Sequence, residues 1–447
     1  MSEWKTARVG DICKAANGRA FKPTEWDTEG APIIRIQNLK NESAPFNYFR
    51  GEIEPRFRVQ HGDLLFAWSG TPGTSFGAHI WRGSDAVLNQ HIFNLHFDRT
   101  KVDERFFCYA LNRNVADYVA KAQGGVGLAH ITKGKFEDSL VPLPDIVEQR
   151  AVVAEIEKQF SRLDEAVAGL RRVKANLKRY KATVLKAAVE GRLVETEADL
   201  ARREGRNYEA GAQLLQRILE TRCSQWQGKG KYKEPAAPNT TDLPELPEGW
   251  VWASLLQVAE VASGNTPSGI LETIKPTGDL PWFKVGDMNH ERNQQVLTHS
   301  EAWLTTVEIK SLGLKVFPPD TVLFPKRGGA IATNKKRRLA SPGCADLNVM
   351  GITPNGEVAA YIFCWFDGIN LAKLSDGSNV PQINHKDIEP LVVPIPPSAE
   401  QHRIVIEVDR LLSIAREVEV EVDTNLKRAQ GLRQSILEQH FQEVPQH

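Results

Sequence analysis

One nine-residue pattern occurs twice in this chain, and each copy opens a long helical stretch. The first copy begins at Val141 (VPLPDIVEQ) and the second at Val393 (VPIPPSAEQ), 252 residues later without a gap. The same offset aligns Thr183–Leu185 with Ser435–Leu437. Solenoid repeats have periods of roughly 20–50 residues, so this spacing indicates instead a duplicated module whose copies each end in a long helix.

The length and periodicity of the two stretches predict a coiled coil. The prolines of each copy force an extended start, and the first helix is then predicted from about Glu148 to Val189, roughly 63 Å at 1.5 Å per residue. Apolar residues recur at heptad spacing in the first helix and more loosely in the second. The positions assigned to packing between the helices are Ile156, Phe160, Leu163, Leu170, Leu177 and Val184, with Val408, Leu412, Val422, Leu426 and Ile436.

Charge supports pairing of the two helices with each other. Residues 144–191 contain ten basic and seven acidic side chains, whereas residues 396–447 contain six and nine. The first segment is therefore +3 and the second −3, and complementary flanks favour association. Together with the duplication, this predicts an antiparallel pair. The alternative of two separate solvated helices on unrelated domains stays open.

Composition limits the classes of function. Net charge is zero, from 56 basic and 56 acidic residues, so DNA binding would need local basic patches or a partner. No apolar run approaches the ~20 residues of a membrane span, and the first residues, MSEWK, lack the apolar core of a signal peptide. The five cysteines form no CxxC pair. These features predict a cytoplasmic protein with reduced thiols.

The rest of the chain predicts an α+β protein with two pseudo-symmetric mixed α/β domains and two long antiparallel coiled-coil helices. Apolar runs at Pro32–Ile36 and Asp63–Ala67 predict strands, and a helix is expected near Glu104–Ala122. Weak matches such as Pro32–Ile36 with Pro281–Val285 extend the repeat into the domains. The predicted segments are 1–143 (first domain), 144–191 (first long helix), 192–245 (helical connector and extended linker), 246–395 (second domain) and 396–447 (second long helix).

Motifs for catalysis are absent from the sequence. It contains no GxxxxGK[ST] phosphate loop and no GxGxxG opening a helix. The stretch Gly73–Gly77 matches GxSxG by letter, but its surroundings lack the strand-to-helix turn of a nucleophile elbow. The eleven histidines show no metal-ligand spacing. We therefore expect no catalytic residue, no metal and no bound cofactor in this chain.

Two divergent units, each closing on VP[LI]P…EQ before a long helix, resemble the DNA specificity (S) subunit of type I restriction–modification systems. The resemblance covers essentially the whole chain and includes the stretches Pro32–Leu39, Gly62–Gly70, Leu88–Leu95, Gly124–Ile131 and Tyr232–Gly249. It implies a non-catalytic subunit in which two target-recognition domains each recognise half of a split double-stranded DNA site. It also implies two methyltransferase (M) partners that carry S-adenosylmethionine, and a motor-nuclease (R) partner.

Within that family the recognition loops differ, so the resemblance gives neither the target nor the residues that contact it. Base recognition uses Arg or Lys for guanine, Asn or Gln for adenine, and Asp or Glu for cytosine. Candidates in the first domain are Arg19, Lys22, Arg35, Gln37, Asn38, Ser69, Thr71, Thr74, Asn89, Gln90 and His130. Candidates in the second are Lys284, Asn289, Lys326, Arg327, Lys335, Lys336, Arg337, Arg338, Asn379, Gln382, Asn384 and Lys386. The six bases between 326 and 338 favour phosphate contact.

Two other classes of function stay open at this point. One is a DNA methyltransferase or nuclease with unrecognised motifs, and methyl transfer by the isolated chain would identify it. The other is a coiled-coil adaptor that binds only protein, which failure of an assembled complex to bind DNA would support.

Overall fold

The computed structural model describes residues 4–41, 44–70, 75–120, 129–228 and 230–441. The chain forms two compact units, and each takes part of both long helices. Unit 1 is Met1–Val173 with Glu421–His447, and unit 2 is Lys174–Val420. This division splits each long helix between the units, whereas the sequence-based boundaries made each helix a segment of its own.

Unit 1 consists of short strands and helices followed by the start of the first long helix. Its strands are β1 (Thr6–Arg8), β2 (Cys13–Asn17), β3 (Ala31–Ile34), β4 (Asn47–Phe49), β5 (Arg58–Val59), β6 (Leu64–Ala67), β7 (Ser69–Gly70), β8 (Gly77–Ile80), β9 (Ala86–Leu88), β10 (Ile92–Phe97), β11 (Ala129–His130) and β12 (Leu140–Pro142). Its helices are α1 (Val9–Ile12), α2 (Ile36–Lys40), α3 (Glu104–Arg113), α4 (Val115–Ala120), α5 (Lys133–Glu137) and α6 (Ile146–Val189), which continues into unit 2.

The centre of unit 1 is an antiparallel sheet in the order β2-β10-β6-β8, beside a mixed sheet in the order β4-β3-β9-β5. Side chains of β6 alternate between two apolar clusters, since Leu64 and Phe66 belong to one, and Leu65 and Ala67 to the other. Burial on both faces explains why this strand is a continuous apolar run. The strands predicted at Pro32–Ile36 and Asp63–Ala67 are β3 and β6.

The helix predicted near Glu104–Ala122 is two helices. Asn114 ends α3, and its side-chain Nδ2 donates to the Leu140 carbonyl at 2.9 Å. That hydrogen bond ties the break to strand β12, so tertiary contact overrides the local helical tendency.

Unit 2 begins within α6. Its further helices are α7 (Glu197–Glu204), α8 (Gly211–Ser224), α9 (Leu255–Val258), α10 (Ile270–Thr273), α11 (Thr306–Ser311), α12 (Ala359–Asp367), α13 (His385–Ile388) and α14 (Ser398–His440). Its strands are β13 (Val251–Ser254), β14 (Ala259–Ser263), β15 (Leu280–Phe283), β16 (Val296–Leu297), β17 (Trp303–Leu304), β18 (Val322–Pro325), β19 (Arg337–Leu339), β20 (Cys344–Ala345), β21 (Val349–Pro354) and β22 (Val392–Ile395). The connector predicted over 192–245 contains two helices, α7 and α8.

Strand connectivity repeats between the units. The unit 2 sheet β14-β21-β18-β19-β16 contains the counterpart of β2-β10-β6-β8, with β16 added at its edge. The parallel pair β3–β9 corresponds to β15–β20, and the antiparallel pair β1–β12 to β13–β22. This confirms the predicted pseudo-symmetric α+β architecture.

The two long helices, α6 and α14, contain 44 and 43 residues, about 65 Å each. α6 begins two residues before the predicted start, because the Asp145 carboxylate accepts from the N–H groups of Val147 and Glu148 at 2.9 Å each.

Within each unit the helices run antiparallel, as predicted. In unit 1 Asp164 of α6 pairs with Arg433 near the end of α14. In unit 2 Lys181, late in α6, pairs with Glu419 in the first half of α14.

The residues predicted to pack between the helices are all shielded to some degree. Ile156, Val184, Val408, Leu412 and Val422 are buried, and Phe160, Leu163, Leu170, Leu177, Leu426 and Ile436 are half-buried. Ala415 and Ala429 are also buried and were missed. They complete a seven-residue spacing with Val408, Val422 and Ile436, and that spacing was the available signal.

Candidate nucleic-acid interface

A pair of residues present in both copies of the repeat, Glu then Gln, fixes each long helix to the strands beside it. In unit 2 the buried Glu400 carboxylate accepts from Trp250 Nε1 at 3.0 Å and from the Glu197 N–H at 2.8 Å. In unit 1 the half-buried Glu148 accepts from Trp4 Nε1 at 2.8 Å. Burial raises the pKa of Glu400. The glutamates therefore hold each domain on its helix.

The glutamine that follows contributes to the same joint, the contact between a domain and the start of its long helix. The Nε2 groups of Gln149 and Gln401 donate to the carbonyls of Pro144 and Pro396 at 2.8 and 2.9 Å. The Gln149 Oε1 also accepts from the Asp103 N–H at 2.8 Å. The repeated VPxP…EQ sequence is thus a structural joint, and the residues available for DNA lie elsewhere.

In unit 1 several candidates meet where strands end side by side. The Arg19 N–H donates to the Leu88 carbonyl at 2.8 Å, and the Asn89 N–H donates to the Ile34 carbonyl at 3.1 Å. Arg19, Asn89 and Arg35 therefore project from neighbouring chain segments. Gly18 permits this approach, because a Cβ there would lie 2.1 Å from the Asn89 carbonyl oxygen.

The two arginines of this cluster lie over aromatic rings. The Arg19 guanidinium is 4.9 Å from the Phe21 ring centroid and 4.8 Å from that of Phe49, and it pairs with Glu25. The Arg35 guanidinium is 5.1 Å from the Trp26 ring centroid. Such contacts restrict the orientation of a guanidinium. The sequence-based list missed these supporting residues, although Arg19 and Phe21 have the i, i+2 spacing of one strand face.

Asn38 does not belong on the DNA-facing list. Its side chain is 1% exposed, its Oδ1 accepts from the Arg35 N–H at 3.0 Å, and its Nδ2 donates to the Ala44 carbonyl at 3.3 Å. It holds the turn that presents Arg35. Lys22, Gln37 and Gln90 are exposed, and Asn89 is half-buried.

A second candidate edge in unit 1 is formed by β7 and β11. Ser69 pairs in register with His130, whose ring lies 4.6 Å from that of Trp68. His130 is exposed and Ser69 half-buried. Thr71 and Thr74 lie outside the described residues.

In unit 2, a chain of side-chain hydrogen bonds positions Lys326. Its Nζ donates to Ser263 Oγ at 2.9 Å, Ser263 Oγ lies 3.4 Å from His385 Nε2, and His385 Nδ1 lies 2.8 Å from Glu389 Oε1. Burial and the neighbouring Arg327 charge lower the pKa of Lys326. Arg327 itself is exposed and bridges in backbone register to Gln382.

The remaining four bases of the run have different environments, which corrects their treatment as one phosphate-contacting group. Lys336 is buried, and its Nζ donates to the carbonyls of Asp367 and Ile369 at 3.2 and 2.6 Å. Burial lowers its pKa to about 8. The Arg337 Nε donates to the Asn293 carbonyl at 2.6 Å. Lys336 is therefore a structural residue, because a buried ammonium cannot reach a DNA phosphate.

The other two bases are more accessible. Lys335 hydrogen-bonds to the Asn289 side chain, and Arg338 lies 3.6 Å from the Asp320 carboxylate. Elsewhere in unit 2, the Lys284 ammonium is 5.2 Å from the Trp282 ring centroid. Asn289, Asn379 and Lys386 are exposed, while Lys284, Gln382 and Asn384 are half-buried. Their DNA contacts stay predictions.

Metal-ligating and nucleophilic side chains are the groups through which these units could carry out catalysis. No group of three or more His, Cys, Asp or Glu side chains within the described ranges is placed to hold a metal ion. Burial raises the pKa of the Cys13, Cys108 and Cys364 thiols to about 12, which keeps them protonated and poorly nucleophilic. Among the helices of the described ranges, none has the length and apolar character to span a membrane.

Comparison with known proteins decides the family. The family model described as type I restriction modification DNA specificity domain matches residues 1–175 and 247–424. This chain belongs to that family. The two matches fall on the two repeated halves of the specificity protein, each ending within a long helix. Its function is accordingly DNA sequence recognition in a type I restriction–modification system, and the resemblance seen in the repeat is confirmed.

Relatives and solved structures agree over the full length. The chain is 25% identical to the type I restriction enzyme EcoBI specificity subunit of Escherichia coli, covering 98% of this chain and 85% of the relative. It is 22% identical to the EcoKI specificity subunit of Escherichia coli K12, covering 98% and 88%. The HsdS subunit from Thermoanaerobacter tengcongensis shares the fold with a TM-score of 0.52 at 17% identity, covering 99% of this chain and 97% of that one.

A further solved structure, from work on assembly and conformational transition of the type I R-M system, has a TM-score of 0.67 at 17% identity, covering 99% of this chain and 98% of that one. These relatives are specificity subunits by name, in agreement with the prediction that the chain is not itself an enzyme.

Proposed function

We propose that each unit recognises one half of a bipartite site in double-stranded DNA. The observation that carries this proposal is the repeated strand order, β2-β10-β6-β8 in unit 1 and β14-β21-β18-β19 in unit 2. Equivalent positions in the two units carry different side chains. Arg19 follows Gly18 in unit 1, and Asn265 follows the equivalent Gly264 in unit 2. Two similar frames with different surface chemistry suit two unlike half-sites.

In unit 1, Arg19 and Arg35 contact guanines, since guanidinium groups pair bidentately with guanine O6 and N7. Their aromatic and carboxylate neighbours orient them before DNA arrives. Asn89 and Gln90 carry the amides that pair with adenine. In unit 2, Arg327 and Lys335 contact phosphates and fix the register of the protein on the duplex.

The two long helices recruit two methyltransferase subunits and set the distance between the half-sites. S-adenosylmethionine, the methyl donor, binds to those partners and not to this chain. A motor-nuclease subunit joins for restriction, and the assembly works in the cytoplasm. The net charge of zero is compatible with DNA binding because partner subunits complete the contact with phosphate.

Reconstitution tests this assignment. The isolated chain should transfer no methyl group and cut no DNA, and two added cognate methyltransferase subunits should produce methylation at one bipartite motif. Methylome sequencing reads the motif. Methyl transfer by the isolated chain would contradict the proposal, and so would failure of the full complex to bind any DNA.

Helix insertion tests the role in spacing. Four residues inserted after Ala175 add about 6 Å, roughly two base pairs, and turn the helix by about 400°, leaving its apolar stripe about 40° away. Two inserted residues rotate the stripe by about 200° and should disrupt packing. The four-residue variant should methylate the same half-sites with a longer spacer. An active variant with the original spacer would exclude the helix as the spacing element.

A further inference from the structure

Unit 2 contains a cavity whose lining is more basic than the matching region of unit 1. The cavity has a volume of about 520 Å³ and lies where β19, α12 and the unit 2 portions of α6 and α14 meet. That volume is in the range of small-molecule sites. Five basic side chains line it (Lys181, Lys336, Arg337, Arg338 and Arg416) against two acidic ones (Asp367 and Asp409).

Pseudo-symmetry shows what the basic residues replace. In unit 1, Asp164 and Arg433 form an ion pair between the helices. The positions 252 residues away are Arg416 and Lys181, so a base stands where unit 1 has Asp164, and Lys181 pairs with Glu419 instead. Lys181 and Arg338 each have an acidic neighbour, Glu419 and Asp320. The change from an acid to Arg416 nevertheless makes the cavity wall more positive than its counterpart, which favours a bound anion.

One strand position in unit 2 is also more basic than its counterpart in unit 1. Ile80 of β8 pairs with Leu64, and Arg338 of β19 pairs with Val322 at the corresponding place. Arg338 lines the cavity, where its guanidinium lies 5.8 Å from the Phe363 ring centroid. An apolar side chain of unit 1 is therefore replaced by a third cation.

One side chain that lines the cavity is smaller than its counterpart in unit 1. In unit 1 the Phe160 ring lies against Tyr109, with centroids 5.6 Å apart, and the Arg433 guanidinium covers it at 4.8 Å. The residue 252 positions later is Leu412, which lines the cavity. Leucine leaves room that the phenylalanine occupies in unit 1.

We propose that this cavity binds a nucleoside 5′-phosphate. Lys181, Arg338 and Arg416 hold the phosphate groups through charge-assisted hydrogen bonds. Phe363 and the aliphatic side chains of Leu185 and Leu412 cover the faces of the base. The polar edge of the base meets the Gln294 and Gln295 amides, which also line the cavity. This site is additional to DNA recognition and does not depend on it.

The variants that test the site come from unit 1. Arg416→Asp recreates the Asp164 arrangement opposite Lys181, and Leu412→Phe recreates Phe160, so both substitutions suit the fold. Arg428→Asp, an exposed charge reversal on the same helix within unit 1, is the control. Circular dichroism checks that each variant is folded.

Calorimetric titration of the full chain with AMP, ATP, adenosine and pyrophosphate provides the measurement. We expect AMP or ATP to bind the original chain and the control with a Kd tighter than about 1 mM. Both cavity variants should bind at least about tenfold more weakly, a loss of about 1.4 kcal/mol. No nucleotide binding, undiminished binding in the variants, or equal affinity for pyrophosphate would overturn the proposal.

A second arm separates a free nucleotide from a nucleotide within DNA. Titrations are repeated on the methyltransferase complex saturated with target duplex. Retained nucleotide binding supports a separate site. Displacement by the duplex would overturn the proposal, because the cavity would then be part of the DNA interface.

Discussion

Strands β8 of unit 1 and β19 of unit 2 occupy the same place in their sheets, and each is tied to its neighbouring helix differently. In unit 1 the tie comes from the helix: Asn112 of α3 accepts from the Ala78 N–H at 2.8 Å and donates to the Ala78 carbonyl at 2.9 Å. In unit 2 Lys336, which precedes β19 at the position of Ala78, donates to the carbonyls of Asp367 and Ile369.

This difference shows that the same sheet architecture can be tied to its helix by a neutral amide or by a buried ammonium group. An amide satisfies both a donor and an acceptor, whereas a buried ammonium satisfies carbonyls only and must lose its hydration. At this place unit 1 therefore has a neutral strand, and unit 2 a basic one whose stability depends on a titratable group.

Exchange of a whole domain is the strongest test of whether the two units recognise DNA separately. Replacing residues 1–143 by the corresponding segment of another specificity subunit should replace one half of the methylated motif completely and leave the other unchanged. Methylome sequencing of the hybrid complex gives the answer. Alteration of both halves would show that the units do not recognise DNA separately.

The joints between domain and helix should differ in strength. Glu400→Ala should lower the free energy of unfolding by about 3 kcal/mol, because two buried N–H donors lose their acceptor. Glu148→Ala, the matched variant, should cost about 1 kcal/mol, since its carboxylate is half-buried and accepts from one indole. Urea unfolding with hydrogen exchange assigns each loss to a unit. Equal losses would mean that burial does not distinguish the joints.

Stability should rise with pH through Lys336. An unfolded lysine keeps its proton to about pH 10.5, whereas folded Lys336 loses it near 8. Between these values the unfolded state binds more protons, so alkaline pH favours folding. From pH 7.5 to 9.5 the original chain should gain about 2 kcal/mol relative to Lys336→Met. Parallel urea titrations measure this difference, and identical pH dependence would contradict it.

Removal of one oriented arginine should relax one base of one half-site. Arg19→Gln should reduce discrimination at a single guanine roughly tenfold, about 1–2 kcal/mol. Arg50→Gln, an exposed arginine of the same unit that pairs with Asp27 and Glu29, is the control. Competition binding with single-base variants of the site measures the ratio. A uniform loss of affinity across all sequences would identify Arg19 as a phosphate contact instead.

The smallest effect concerns phosphate contacts in unit 2. Arg327→Gln combined with Lys335→Gln should lower the salt dependence of DNA binding by up to about 1.8 in log–log slope, at 0.9 per contact. Lys336→Met should leave the slope unchanged, because that ammonium is buried. A change in slope for Lys336→Met alone would place it at the DNA surface.

Periodicity and repetition were enough to predict the architecture. The 252-residue offset gave the duplication and the helix pair, and apolar runs located β3 and β6. These signals are local or repeat within the sequence. The run at 326–338 was harder, because a string of cations does not show which of them face inward. The Lys336 ammonium faces inward because it donates to the carbonyls of Asp367 and Ile369, some thirty residues later.

The candidate site was predictable in outline only. Arg19 and Arg35 were chosen by residue type. Phe21 is close to Arg19 in the sequence, but the contacts with Phe49 and Trp26 depend on segments that sequence spacing does not bring together. The division of α3 from α4 likewise depends on the Asn114 contact with Leu140.

The completion of unit 1 by the end of α14 has a consequence for synthesis on the ribosome. Phe441 is fully buried, and its ring lies 6.1 Å from that of Trp4 and 5.3 Å from that of Phe106. Residues 1–143 therefore wait for nearly 300 further residues before the core of unit 1 closes. Unit 2, continuous in the chain, can fold earlier. A prematurely terminated product would keep an open apolar seam, a surface that chaperones and proteases bind.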